Sequence, residues 1–246
     1  MFSSFFRTSQ FVILLIAITG FHFVGLILER VYSILTGKTK KQKEDIAHLR
    51  SSKWGRDLFR FTPVWSIQIS GKENIPNSGN FVIVANHESA TDMLALNYLQ
   101  IQFRWLAKKE AFKIPCIGQA MKWSGYIPIH RGAKESHKTA IDLCKKTIEE
   151  KTPVLFFPEG TRSTLGYPKD FKVGAFKVAK EVGVSVLPIV LKGAGKLLKK
   201  GSLTPNKATM VVKILAPISS PQEEAIEDFT KRVEELIIKE HKNINN

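Results

Sequence analysis

The sequence predicts an α/β domain, a mixed sheet flanked by helices, with an N-terminal two-helix membrane anchor. Three observations predict it. From about residue 64, short runs rich in Val, Ile and Phe alternate with helical stretches. An uncharged apolar stretch, residues 11–28, lies well before them. Between the two sits a basic segment with aromatic residues at helical spacing. On this reading residues 1–62 anchor the chain and residues 63–246 form the domain. At 246 residues and 43% hydrophobic, the chain can bury a substantial core, which excludes wholesale disorder. The 37 Lys and Arg against 22 Asp and Glu give a net charge of +15, which calls for anionic partners. Cys116 and Cys144 have no metal-type spacing and form no disulfide framework.

Each element has its own signals. As a helix, residues 11–28 span about 27 Å, close to the ~30 Å hydrocarbon core of a bilayer. Only Arg7 precedes them as a charge, and no small-x-small cleavage pattern follows, which argues against a cleaved signal peptide. Residues 37–61 then carry eight Lys and Arg against Glu44, Asp45 and Asp57. Basic residues just after an apolar helix mark the cytoplasmic side and draw anionic headgroups. Trp54, Leu58 and Phe61 recur among them at helical spacing, as in a helix lying on a membrane surface. The predicted location is the cell membrane, with the domain on its cytoplasmic face.

Strands are predicted at 64–70, 81–85, 103–107, 125–129, 153–157, 184–191 and 209–215, where β-branched and aromatic residues cluster. Helices are predicted at 91–100, 117–124, 134–151 and 174–183, the last ending on Gly183 as a C-cap. A C-terminal helix is predicted from Ser220 as N-cap, with Pro221 in its first turn. Glu223 and Glu224 lie near its positive end, and Ile226, Phe229, Val233 and Leu236 form its buried stripe.

Functional groups in such sheets gather beyond the carboxyl ends of strands. Three unusual stretches follow strands there: NHESATD (86–92), HRG (130–132) and PEGTRS (158–163). On a regular helix, positions five apart do not share a face, but a turn followed by a helix start can join His87 to Asp92. Asp92 would then fix the imidazole tautomer and stabilise the imidazolium, leaving the other nitrogen free as a base. An ordinary histidine, titrating near ~6.5, suits base work at neutral pH. The plain alternative is a His–Asp pair capping a helix. In PEGTRS, Gly160 allows a turn with main-chain donors, Arg162 offers a planar fork for phosphate, and Glu159 and Thr161 flank them. The plain alternative there is an ordinary Pro-Gly turn. Arg131 and the Lys108–Lys109 pair add cations after other strands; each alone is a solvated charge, but together they suggest a phosphorylated substrate. Ser89 lacks the G-x-S-x-G context of a nucleophile. A His–Asp dyad without an enzyme nucleophile points to direct activation of a substrate hydroxyl.

These residues resemble the glycerophospholipid acyltransferases over roughly residues 65–195. Asn86, His87 and Asp92 match that family's NHxxxxD motif. GYIPIHRG matches the second block, with Arg131 at its arginine and PIH where many members carry an aromatic or apolar residue and Asp or Asn. FPEGTRS (157–163) matches the third block and VLPIVLKG, with Pro188, the fourth; AKKEAF (107–112) places Lys108 at a basic position. The resemblance implies transfer of an acyl group from acyl-CoA or acyl carrier protein to the sn-2 hydroxyl of lysophosphatidic acid. It implies His87 as base, Asp92 as its partner, and Arg162, Lys108 and Arg131 on the acceptor phosphate. Asn86, Glu159, Gly160 and Thr161 would shape the pocket. No metal or cofactor is expected, and anionic membrane lipids are expected partners. A different acceptor, such as glycerol-3-phosphate or another lysolipid, stays open, as does a non-enzymatic basic membrane binder. The chain has no base-stacking motif, so no nucleic-acid partner is expected.

Overall fold

The computed structural model describes residues 4–77, 79–130, 134–163, 167–199 and 201–244. Among the described residues there are seven strands: β1 (Trp65–Ser70), β2 (Val82–Ala85), β3 (Arg104–Lys108), β4 (Ile127–Ile129), β5 (Val154–Phe156), β6 (Val186–Lys192) and β7 (Ala208–Ile214). The helices are α1 (Ser4–Leu35), α2 (Lys40–Phe61), α3 (Thr91–Tyr98), α4 (Ile117–Trp123), α5 (Lys134–Glu149), α6 (Gly174–Val182), α7 (Ala194–Leu197) and α8 (Ile226–Asn243). The strands form one mixed sheet in the order β1-β7-β6-β2-β5-β3-β4. Neighbours run parallel except β6 and β7, which are antiparallel.

Strand alternation sorts the core into two layers. Ile83, Leu155, Leu187 and Ile189 point to one face, where α1, α2, α3 and α7 pack. Val82, Val84, Val154 and Val190 point to the other, where Phe176 of α6 and Phe229 of α8 meet edge-on. The central strand β2 is buried on both faces, which is why FVIVA reads as a continuous apolar run. Cys144 lies in this second layer with its thiol pushed up to about 12 by burial, so it stays an inert core residue.

The N-terminal helices differ from the two-helix anchor expected. α1 is 32 residues long, well beyond the uncharged stretch, and among the described residues it is the one helix with the length and apolarity to enter a membrane. It exposes Ile13, Ile16, Phe21, Val24 and Leu28 on its outer side. α2 opens with a capping box of Thr39 and Gln42 and packs inward, between α1 and the domain. Its buried residues are Ala47, His48, Ser52, Gly55, Leu58 and Phe59, so Phe61, expected on the apolar stripe, points to the outside. Of the three residues whose spacing suggested a surface helix, Trp54 and Leu58 pack inward and Phe61 does not.

Polar groups weld α2 to its neighbours. Trp54 Nε1 donates to Thr19 Oγ1 at 3.0 Å, His22 meets Asp57 at 3.1 Å, and Arg50 pairs with Glu29, all towards α1. On the domain side, His48 bonds Tyr126 Oη at 3.0 Å and donates from Nε2 to the Ile101 carbonyl at 2.9 Å. Burial pushes the His48 imidazole down to about 3, so it stays neutral across the physiological range. Arg104, fully buried on β3, reaches Asp45 of α2 at 2.6 Å. Gly55 permits the crossing with α3, because a Cβ there would come within 2.7 Å of the Asn97 side chain.

The C-terminal helix also begins later than expected. α8 starts at Ile226 after Ala225, and Ser220 instead bonds the Pro221 carbonyl. Glu227 and Asp228 occupy the favoured first turn in place of Glu223 and Glu224. The buried stripe is Phe229, Val233 and Ile237, one residue on from the expected Leu236. Pro221 misled because a proline suits a loop as well as a first turn. Gly183 does end α6 in the left-handed conformation, with φ 72°.

Candidate active site

β2 and β5 are neighbours in the sheet, so NHESATD and PEGTRS leave adjacent strands side by side. The chain turns after Ala85 and starts α3 at Thr91, which folds Asp92 back onto His87. His87 Nδ1 lies 2.6 Å from Asp92 Oδ2. The same oxygen accepts the N–H groups of Glu88 and Ser89, both at 2.8 Å. Asp92 is fully buried and holds the loop and the ring together. Burial pushes its carboxyl above the usual range, while the His87 ring and the Ser89 N–H pull it back. A carboxylate at Nδ1 leaves Nε2 as the imidazole nitrogen able to take a proton.

PEGTRS holds His87 from the other side. The His87 N–H donates to Glu159 Oε1 at 2.8 Å, and the His87 carbonyl accepts from the Ser163 N–H at 2.7 Å. The Phe157 ring stacks on the imidazole at 4.1 Å and 19°. Ring, N–H and carbonyl of one residue are therefore all restrained by the neighbouring strand's loop. Glu159 is 8% exposed, and burial, with the nearby Asp92 and Glu88 carboxylates, pushes it up to about 7 against the pull of the His87 N–H.

Other parts of the base loop are tied to β6 and beyond. The Asn86 amide makes two bonds to the Leu191 backbone, at 2.7 and 2.8 Å, so it builds the loop rather than lining the cavity. Glu88 accepts from the Gly193 N–H at 3.1 Å and meets His241 of α8 at 3.0 Å. Thr91 Oγ1 donates to the Ala194 carbonyl at 3.1 Å. Lys192 caps the end of α8 through the carbonyls of His241 and Ile244.

The expected cations separate. Arg162 is exposed and lines the same cavity as His87, with no hydrogen bond or ion pair to a described residue. Lys108, at the end of β3, and Thr161 are exposed and lie outside that cavity's lining. Arg131 lies outside the described residues. Gly160 adopts φ 69°, which favours glycine, and a Cβ there would come within 2.9 Å of Lys172 Nζ. Lys172 is thus a cation beside the PEGTRS turn that sequence reasoning missed. It is brought there because its own N–H returns to the Pro158 carbonyl at 3.0 Å. Its only sequence signal was a charge just before α6.

From His87 and Arg162, a cavity of about 320 Å³ runs between α1, α2, α3 and α4. Its walls are mainly apolar, among them Phe23, Leu26, Met93, Leu94, Ile117 and Met121. A base on the wall of an apolar cavity, beside the unpaired Arg162, can activate a hydroxyl on a molecule that is part anionic and part hydrocarbon. Among the described residues no group of three or more His, Cys, Asp or Glu could hold a metal ion.

Comparison with known proteins places the chain among acyltransferases. The family model described as Acyltransferase matches residues 66–192. A 1-acyl-sn-glycerol-3-phosphate acyltransferase of Chlamydomonas reinhardtii is 41% identical over 160 residues, 63% of this chain and 48% of that protein. A chloroplastic one of Arabidopsis thaliana is 41% identical over 141 residues, 57% of this chain and 40% of the relative. The chain thus spans about half the length of these relatives or less. The Helicobacter pylori 1-acyl-sn-glycerol-3-phosphate acyltransferase is 30% identical over 175 residues, 69% of this chain and 73% of that protein. The crystal structure of the Thermotoga maritima 1-acyl-sn-glycerophosphate acyltransferase shares the fold, with a TM-score of 0.82 at 23% identity, covering 98% of this chain and 97% of that one.

Proposed function

The chain belongs to the acyltransferase family, and we propose that it transfers a fatty acyl group from acyl-CoA or acyl carrier protein to the sn-2 hydroxyl of lysophosphatidic acid, forming phosphatidic acid. The observation that carries this is the His87–Asp92 pair at the wall of an apolar cavity with Arg162 beside it. His87 Nε2 takes the proton of the acceptor hydroxyl as its oxygen attacks the thioester carbonyl. Collapse of the tetrahedral intermediate expels the carrier thiolate, which takes a proton back from the imidazolium. Asp92 keeps the imidazole in one tautomer and stabilises its charged form. Arg162 binds the acceptor phosphate, with Lys172 as the second cation, and Lys108 and Arg131 add positive charge to the same acceptor site. The scheme uses no cofactor.

The cavity takes the acyl chain. Ala120 lies on its wall, and Ala120→Phe is expected to shift preference towards shorter acyl-CoA chains. Burying one methylene fewer is worth about 1–3 kcal/mol, so the ratio of long-chain to short-chain kcat/KM should fall at least about tenfold. Competition between acyl-CoA lengths measures it, and an unchanged ratio would place the chain elsewhere.

α1 attaches the protein to the cytoplasmic face of the cell membrane through its exposed apolar side. It is held against the domain from Thr8, bonded to Thr204, through to Arg30, which stacks over Trp123. A helix held along that length cannot stand upright away from the domain, so it lies in one leaflet. The anionic lipid partners are those of that leaflet.

The test of the activity is acyl transfer from labelled acyl-CoA to lysophosphatidic acid, with His87→Ala beside the wild type. The wild type should form phosphatidic acid and the folded variant about 10²–10⁴-fold less, the usual worth of a positioned base. Equal rates would remove His87 from the chemistry. Product with glycerol-3-phosphate alone would change the acceptor.

A further inference from the structure

Between Glu181 and Glu223 the chain contains no acidic residue. Of the five described lysines in that stretch, two are occupied, Lys192 on the end of α8 and Lys213 with Glu240 at 2.6 Å. Three are not. Lys196, Lys199 and Lys207 are exposed, and none uses its side chain to bond or pair with a described residue. They surround the connection from β6 to β7, where Leu203 is 48% exposed.

This connection is built, not loose. The Asn206 N–H donates to the Leu197 carbonyl at 3.0 Å and its side chain to the Lys196 carbonyl at 3.3 Å. Leu197 and Pro205 are buried beneath it. It is also joined to the start of α1: the Thr8 and Thr204 hydroxyls are 2.6 Å apart, and Arg7 reaches towards the Pro205 carbonyl at 3.5 Å. Leu203 therefore sits within a turn of the α1 end that exposes Phe5 and Phe6. One apolar residue continues an apolar helix face, and three unpaired cations flank it.

We propose that Lys196, Lys199, Leu203 and Lys207 form a second membrane contact, specific for an anionic bilayer surface, which sets the depth of the N-terminal end of α1. Leu203 enters the acyl boundary, and Lys196, Lys199 and Lys207 lay their stems along it with the ammonium groups against anionic headgroups. The charge has one sign, so a zwitterionic surface gains little from it. This inference rests on α1 lying in the membrane.

The test is co-sedimentation of the full chain with phosphatidylcholine vesicles, and with phosphatidylcholine mixed with phosphatidylglycerol. The variants are the triple change Lys196→Gln, Lys199→Gln, Lys207→Gln and, separately, Leu203→Ser. The wild type should bind both vesicles, the anionic ones more tightly. The triple variant should lose about 100-fold on anionic vesicles, since each lysine at the surface is worth roughly fivefold, and nothing on neutral ones. Salt should erase the same increment in the wild type. Leu203→Ser should weaken binding to both vesicles, up to about fivefold. All variants should keep wild-type turnover in neutral detergent micelles, because none of these side chains reaches the cavity. An undiminished preference for anionic vesicles in the triple variant would overturn the proposal. Wild-type protein that binds both vesicles equally would also overturn it, leaving the α1 reading intact. Protein that binds neither would overturn both.

Discussion

Asp92→Asn is expected to lower acyl transfer by about three to four orders of magnitude in a protein that still folds. Asp92 Oδ2 receives the His87 ring at 2.6 Å and two backbone N–H groups at 2.8 Å. The asparagine oxygen can keep the backbone bonds, because those need only an acceptor. It cannot hold the ring as a carboxylate does. The neutral amide offers no charge to stabilise an imidazolium, and its NH₂ can turn towards Nδ1 and select the wrong tautomer. Binding of the lysolipid should survive, since Arg162 and the cavity are untouched, so the loss should fall on kcat rather than KM. Stopped assays of phosphatidic acid formation with a thermal melt as control measure it. A variant within tenfold of the wild type would show that the pair only shapes the helix start.

Glu159→Gln should make the protein more stable and less active, with the stability gain confined to high pH. Burial raises the Glu159 carboxyl from 4.5 to about 7 in the folded chain. A raised carboxyl favours the folded state fully below the unfolded value, and that contribution is lost as pH rises through about 7. Above that pH the native state carries a buried charge at a cost of roughly 3 kcal/mol. Glutamine never carries it, and its oxygen can still accept from the His87 N–H. Unfolding at pH 8 should therefore show the variant more stable by up to roughly 3 kcal/mol, and at pH 4 no difference. Activity at pH 8 should fall about tenfold, because a negative charge that steadies the imidazolium is gone. An equal stability difference at both pH values would mean that the carboxyl is not strained by burial.

Much of this was legible before the fold was known. All seven strands were readable because β-branched runs such as FVIVA and PVLFF are bounded by turn residues. His87 and Asp92 stood out because neither is needed by a turn or a strand. Helix boundaries were less legible. Ser220 and Pro221 look like a helix start but serve a loop, and α8 begins at Ile226 with no side-chain cap. The packing of α2 was not legible, because aromatic residues among charges suit a membrane surface and a packed interface equally well. Its buried His48, Arg104 partner and close crossing at Gly55 depend on β3, β4 and α3, which lie far along the chain.

By itself the sequence determined which elements form and which chemical groups stand at their ends: a histidine and an aspartate after β2, a glutamate, glycine and arginine after β5, and an excess of cations throughout. Those features are local, set by side-chain period, turn residues and composition. Tertiary structure alone decided that β2 and β5 are neighbours, so that Glu159, Phe157 and Ser163 grip His87 from three sides. It alone decided that Lys172 returns to Gly160, that Glu88 meets His241 across 153 residues, and that the apolar cavity is walled by α1 and α2. Sheet order and helix crossing follow from long-range packing, and no spacing along the chain encodes which strand will lie beside which.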